Sequence, residues 1–121
     1  MILVDTSVWV NHLHVGEPEL FRLLAADEVL GHPFITGELA LGSLRDRREI
    51  LDLLQSLPSA VVAEPGEVLE LIEIERIAAV GIGYVDVSLL TSARLTPECL
   101  LWTRDRRLNQ LTSRIGLAYL P

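Results

Sequence analysis

The 121-residue chain contains no lysine, and all ten of its basic residues are arginine. That absence excludes a receiver-type phosphoacceptor domain, which needs a lysine beside its acid cluster. Only one cysteine is present, Cys99, so no internal disulfide can form. Within the apolar stretch "CLLWT" it reads as a small buried hydrophobe. Half the residues are hydrophobic, yet charges interrupt the apolar runs every few positions. None approaches the roughly 20 residues of a membrane span, so a soluble protein with a large core is expected. The N-terminal "MILVDTSVWV" has no basic segment ahead of its apolar residues and reaches an aspartate at position 5. It does not fit a secretory signal, and cytoplasmic residence is the expectation. Repeats, linkers and low-complexity tracts are also missing, and the length suits a single domain over residues 1–121.

What is present is an uneven distribution of charge. Seventeen acidic residues against ten basic ones give a formal charge of −7, which argues against a polyanionic partner when taken as an average. The arginines, however, concentrate in "RDRR" at 45–48 and "RDRRLNQLTSR" at 104–114, whereas five acids crowd "EPGEVLELIEIE" at 64–75. Composition leaves two readings of the arginine clusters open, a solvated helix face with local ion pairs or a phosphate-contacting patch.

Apolar periodicity alternates between strand and helix. "ILV" reads as a short buried strand, followed by a helix over "TSVWVNHL" with Thr6 or Ser7 near its cap. "EPELFRLLAAD" reads as a second helix, and "EVLGHPFI" as a short strand with an irregular exit. "TGELALGSL" restarts a helix with Thr36 as cap, and residues 47–57 form another that Pro58 ends. "AVVAE" at 60–64 is the next strand. Residues 67–80 read as the best amphipathic helix, with Val68, Leu71, Ile74 and Ala78 inward. "DVSLLTSARL" is helical, and "CLLWT" is a strand followed by a basic helix and a last strand, "LAYL". This alternation predicts an α/β fold with a parallel sheet covered on both faces.

In open parallel sheets, ligands bind beyond the carboxyl ends of the strands. Asp5 and Asp105 each follow an apolar strand, Asp86 opens a helix, and Glu38 falls in the first turn of the helix begun at Thr36. Each acid has an ordinary explanation as a helix cap or first-turn residue. Together they suggest more, because clustered carboxylates repel one another unless a cation compensates. Oxygen ligands with room for water and phosphate suit Mg²⁺ or Mn²⁺.

"MILVDTSVWVNHL", "TGELALGSL", "GIGYVDVSLLTSARL" and "LWTRDRRLNQL", in this order, resemble the PIN-domain ribonucleases, in particular the VapC-type toxins of bacterial toxin–antitoxin pairs. The resemblance covers nearly the whole chain. It implies a three-layer α/β/α sandwich around a central, mostly parallel sheet of about five strands. It also implies an Mg²⁺- or Mn²⁺-dependent endoribonuclease with Asp5, Glu38, Asp86 and Asp105 as its catalytic, metal-holding acids. Thr6 and Thr103 match supporting hydroxyl positions. The implied partners are an RNA substrate, a cognate antitoxin protein and a second copy of the chain, with no membrane. Arg104, Arg106, Arg107 and Arg114 would be contacts to the RNA backbone. The segments that carry the resemblance leave out Gly42 to Ala63, so the arginines at 45–48 gain no support from it.

Competing readings are weaker. A haloacid-type phosphatase needs a second aspartate two positions after the first, where this chain has Ser7. "GIGYVD" places Asp86 at the third glycine position of a dinucleotide fingerprint, which counts against nucleotide cofactor binding. His12 and His14 are two apart and point to different faces of a helix, so both read as exposed helix residues, and His32 as a loop residue. A non-catalytic α/β protein-binding module, its acids serving as helix caps, remains the alternative.

Overall fold

The structure is a computed structural model describing residues 1–121. Strand β1 (Ile2–Val4) runs into helix α1 (Thr6–Val15), and α2 (Pro18–Ala25) leads to strand β2 (Val29–Leu30). Helices α3 (Pro33–Leu41), α4 (Arg47–Ser56), α5 (Pro65–Ile74) and α6 (Tyr84–Leu95) follow, then strand β3 (Leu100–Trp102) and helix α7 (Arg106–Ile115). The sheet order is β2-β1-β3 and both pairings are parallel. Leu3 and Val4 point to opposite faces of β1, yet both are 0% exposed. The central strand is therefore covered on both sides, as the alternation of elements predicts. No helix is long and apolar enough to cross a membrane.

The sheet has three strands rather than about five. The two missing edges survive as single bridges, Gly31 with Ser59 and Leu101 with Ala118. On the first edge, the Val61 and Ala63 amides donate to the side-chain hydroxyls of Thr96 and Ser92, 2.9 and 3.1 Å away, instead of extending a ladder. Val61 and Val62 stay exposed, so "AVVAE" lacks the burial that makes a β-branched run a strand. On the second edge Leu101 alone is paired, donating its amide to the Leu117 carbonyl and accepting at its own carbonyl from the Tyr119 N–H.

Helix ends also differ from the periodicity. Helix α3 starts at Pro33 with His32 as its N-cap, three residues before Thr36, because proline suits a first turn and the His32 Nδ1 accepts from the Phe34 N–H at 3.0 Å. Glu38 consequently lies in the second turn, not the first. His32 is 3% exposed rather than a surface loop residue, its Nε2 lying 3.0 Å from the Ser92 Oγ of α6. His12 is half-buried, with Nδ1 accepting from the Glu17 N–H and its ring edge-on to Trp9 and Phe21.

Helix α5 stops at Ile74, six residues short of the expected end. Ile74 is 59% exposed and Ala78 lies outside the helix, whereas Ile77 turns into the core. Residues 75–83 instead form an irregular loop with positive φ at Arg76, Ala79 and Gly81. On α4, Arg47 donates to the carbonyls of Ala40 and Gly42 at the end of α3, a structural role for one arginine of the 45–48 cluster.

Candidate active site

Parallel pairing sets the site's position. Val4 of β1 lies in register with Trp102 of β3, and the Asp5 N–H donates to the Trp102 carbonyl at 2.9 Å. Both strands therefore end at one edge, where Asp5 caps α1 and Asp105 caps α7. A cap aspartate orients its carboxylate along the helix start, because its oxygen accepts from an otherwise unpaired amide.

Asp5 is 4% exposed, and its burial is compensated on one oxygen. Its Oδ2 accepts from the Ser7 Oγ at 2.6 Å, the Thr103 Oγ1 at 2.8 Å and the Ser7 N–H at 3.4 Å. All three donors approach Oδ2, which leaves Oδ1 free of them. The same hydroxyls tie in the neighbouring turn. Thr103 Oγ1 accepts from the Asp105 N–H at 3.0 Å, and Ser7 Oγ accepts from the Arg104 N–H at 3.0 Å. Asp5, Ser7, Thr103 and Asp105 are thus one network joining the ends of β1 and β3. Ser7 is the residue that sequence reasoning passed over, since a hydroxyl at the start of a helix resembles an ordinary cap. Its spacing of two from a strand-end aspartate was the available signal.

Glu38 and Asp86 arrive from other elements. Glu38 is exposed on α3, and its Oε1 accepts from the Thr6 Oγ1 at 2.7 Å. Thr6 therefore holds Glu38 as Thr103 holds Asp5. Asp86 lies half-buried in the first turn of α6, whose N-cap is Gly83. Its pKa is pushed up from 3.8 to about 6, first by burial and then by the negative charges of Asp5, Asp105 and Glu38. The four acids consequently share one electrostatic field. Asp105 itself is exposed, with Oδ1 accepting from the Leu108 N–H at 2.9 Å.

The fit to a divalent cation follows from this chemistry. No three of the acids are drawn into a ready ligand cage, which is the arrangement expected of like charges without a counter-ion. All four are hard oxygen donors, and no basic side chain is ion-paired with any of them. The Asp86 pKa is raised first by burial and then by three neighbouring negative charges, and a cation would offset both. A cleft of about 370 Å³ opens beside Asp86 and Asp105, walled by Gly81, Ile82, Arg106 and Arg107.

The four arginines expected to meet RNA have different surroundings. Arg104 is ion-paired with Glu17, which also accepts from Asn11. Arg107 donates to the Gly81 carbonyl at 3.3 Å and Arg114 to the Glu75 carbonyl at 2.7 Å, both in the 75–83 loop. Arg106 is exposed at the mouth of the acid cleft.

Residues 2–113 match the family model of the PIN domain. Ribonuclease VapC32 of Mycobacterium tuberculosis, in each of two strains, is 45% identical to this chain over 118 residues, covering 98% of the chain and 95% of the relative.

Proposed function

The chain belongs to the PIN-domain family, among its VapC ribonucleases, and from that premise we propose that it hydrolyses RNA phosphodiester bonds at the edge formed by Asp5, Glu38, Asp86 and Asp105. As a VapC protein it is the toxin of a toxin–antitoxin pair. The observation that carries the site assignment is Asp86, half-buried and repelled by three other carboxylates from three other elements. A carboxylate in that position is unfavourable for the fold alone, and such strain concentrates where chemistry requires it. Helix capping accounts for Asp5 and Asp105, but His32 and Gly83 cap the helices that carry Glu38 and Asp86. The bland reading covers Asp86 only as a first-turn acid and leaves Glu38, in the second turn of α3, unexplained.

Asp5, Glu38, Asp86 and Asp105 would hold the divalent ion, Mg²⁺ or Mn²⁺. When bound, it supplies a water of lowered pKa and positive charge for the phosphoryl oxygens. The chain's own residues supply geometry. Ser7 and Thr103 fix one oxygen of Asp5 and leave the other free of hydrogen bonds, and Thr6 restrains the long Glu38 side chain. Arg106, at the cleft mouth, is placed to receive a phosphate without reading a base. A cognate antitoxin is the protein partner of this reading, with a homodimer as the assembly and the cytoplasm as the site of action.

Incubating the purified protein with structured and single-stranded RNAs, with Mg²⁺, Mn²⁺ or excess chelator, tests the proposal. Endonucleolytic cleavage is expected with metal and none with chelator. Undiminished cleavage in chelator would exclude the metal mechanism, and no cleavage under any condition would return the chain to a binding role.

A further inference from the structure

A second cleft, of about 550 Å³, lies between the 75–83 loop and α7. Arg76, Arg107 and Arg114 line it, Ile77 and Leu111 contribute its apolar surface, and no acidic residue does. In a chain of net charge −7 this is a local reversal of sign. The three guanidinium groups are also not neutralised. The ion pairs of the molecule engage Arg22, Arg94 and Arg104, whereas Arg107 and Arg114 donate to uncharged backbone carbonyls. Each single hydrogen bond leaves most of a guanidinium's five N–H donors available.

The cleft is continuous with the acid site. Gly81, Ile82 and Arg107 line both clefts, so a chain leaving the acids can run past Arg107 into the arginine groove. Gly81 stands at that junction. Its φ of +80° disfavours any side chain, and a Cβ there would collide with the Arg107 guanidinium.

We infer that this groove is the track for a single-stranded polynucleotide on one side of the scissile bond. Arg76, Arg107 and Arg114 contact successive backbone phosphates, and the apolar surface that the exposed Val80 and the half-buried Ile82 add over Ile77 and Leu111 packs an unstacked base. Cationic walls with an apolar floor suit single strands, because a duplex hides its base faces. The inference rests on the ribonuclease reading and adds Arg76, which no sequence pattern singles out, while it removes Arg104 from the contact set because Glu17 neutralises it.

The test is fluorescence anisotropy of a labelled, mixed-sequence 12-nucleotide single-stranded RNA at several salt concentrations with Mg²⁺ present. An Asp86→Asn background prevents cleavage during the measurement. Arg76→Gln is expected to lower affinity about fourfold at 0.15 M salt and to reduce the salt slope by about 0.7, the value for loss of one phosphate contact on a single strand. Arg48→Gln, on exposed α4, should change neither. An unchanged salt slope in both Arg76→Gln and Arg76→Glu would overturn the track, as would an equal loss in Arg48→Gln. Preferential binding of an acidic peptide over RNA would also overturn it. The two readings fail separately. Wild-type protein that cleaves no RNA with Mg²⁺ or Mn²⁺ defeats the ribonuclease assignment, whereas cleavage with an Arg76-independent salt slope defeats the track alone.

Discussion

The two walls of the acid site are built in opposite ways. One is the edge of β1 and β3, where Asp5, Ser7, Thr103 and the Asp105 amide are bonded to one another at 2.6–3.0 Å and Asp5 and Thr103 are buried. The other is the 75–83 loop, with three positive-φ residues and guanidinium groups holding its carbonyls. The first wall is over-determined, since Asp5 Oδ2, Ser7 Oγ and Thr103 Oγ1 each take part in at least two hydrogen bonds. The second is adjustable, because long exposed side chains supply its restraints. The difference teaches a division of labour. Reacting groups need a fixed geometry, whereas an RNA backbone needs charge along a path and tolerates side-chain motion.

Breaking the rigid wall should have the largest effect. Asp5→Asn keeps size and hydrogen-bond acceptor but removes charge, so RNA cleavage should fall at least ~10²-fold with little loss of folding. Thr103→Val removes a donor to Asp5 and leaves a buried carboxylate less compensated. It should cost about 1–3 kcal/mol of stability in denaturant melts, in addition to activity. Near-normal cleavage by a folded Asp5→Asn variant would show that this network is only a cap.

A second experiment sharpens the comparison by opposing stability to function. Asp86 is half-buried with its pKa raised to about 6, so at neutral pH its charge is held at a cost to the metal-free fold. Asp86→Asn should therefore raise the Tm of chelator-treated protein while abolishing cleavage. A lowered Tm would mean that Asp86 supports the fold through contacts rather than straining it.

The smallest effect lies behind both walls. His32 caps α3, which carries Glu38, and its Nε2 reaches Ser92 of α6, which carries Asp86. With Nδ1 accepting from Phe34, the neutral ring places its proton on Nε2, towards Ser92. Burial lowers the His32 pKa below 6.5, which favours this neutral form. The folded state thus binds the proton less well than the unfolded chain. The stabilisation is fully present above pH 6.5 and is lost as pH falls through the depressed value. Urea melts of wild type and His32→Ala should show a wild-type advantage of at least about 1 kcal/mol at pH 8, as for other cap losses, shrinking towards pH 5. A pH-independent difference would assign His32 a packing role alone.

Much of the rigid wall was legible in the sequence. A short apolar run followed by aspartate at position 5, and again at 105, locates strand ends without any knowledge of contacts, because burial and capping are local demands. The adjustable wall was not legible. The 67–80 pattern continues past Ile74 with helical spacing, and only the core's acceptance of Ile77 breaks it. Thr36 looks like a cap, yet His32 and Pro33 start α3 earlier, which moves Glu38 into the second turn. The two outer strands were expected from "AVVAE" and "LAYL", but the hydroxyls of Ser92 and Thr96 took the first segment's amides.

The sequence by itself determined an α/β chain with parallel strands and three of the four acids, Asp5, Asp86 and Asp105, at the positions where strands end and helices begin. Periodicity and capping act over a few neighbouring residues, so they are written in the chain order. Only the tertiary structure decided that Asp86 would sit in the field of the other three acids and that Ser7 would share Asp5 with Thr103. It likewise decided that Arg76 would join Arg107 and Arg114 around one cleft while Glu17 neutralised Arg104. Those outcomes depend on which residues far apart in sequence are brought within a few ångströms, and Coulomb energy and hydrogen bonding act on that distance rather than on sequence separation.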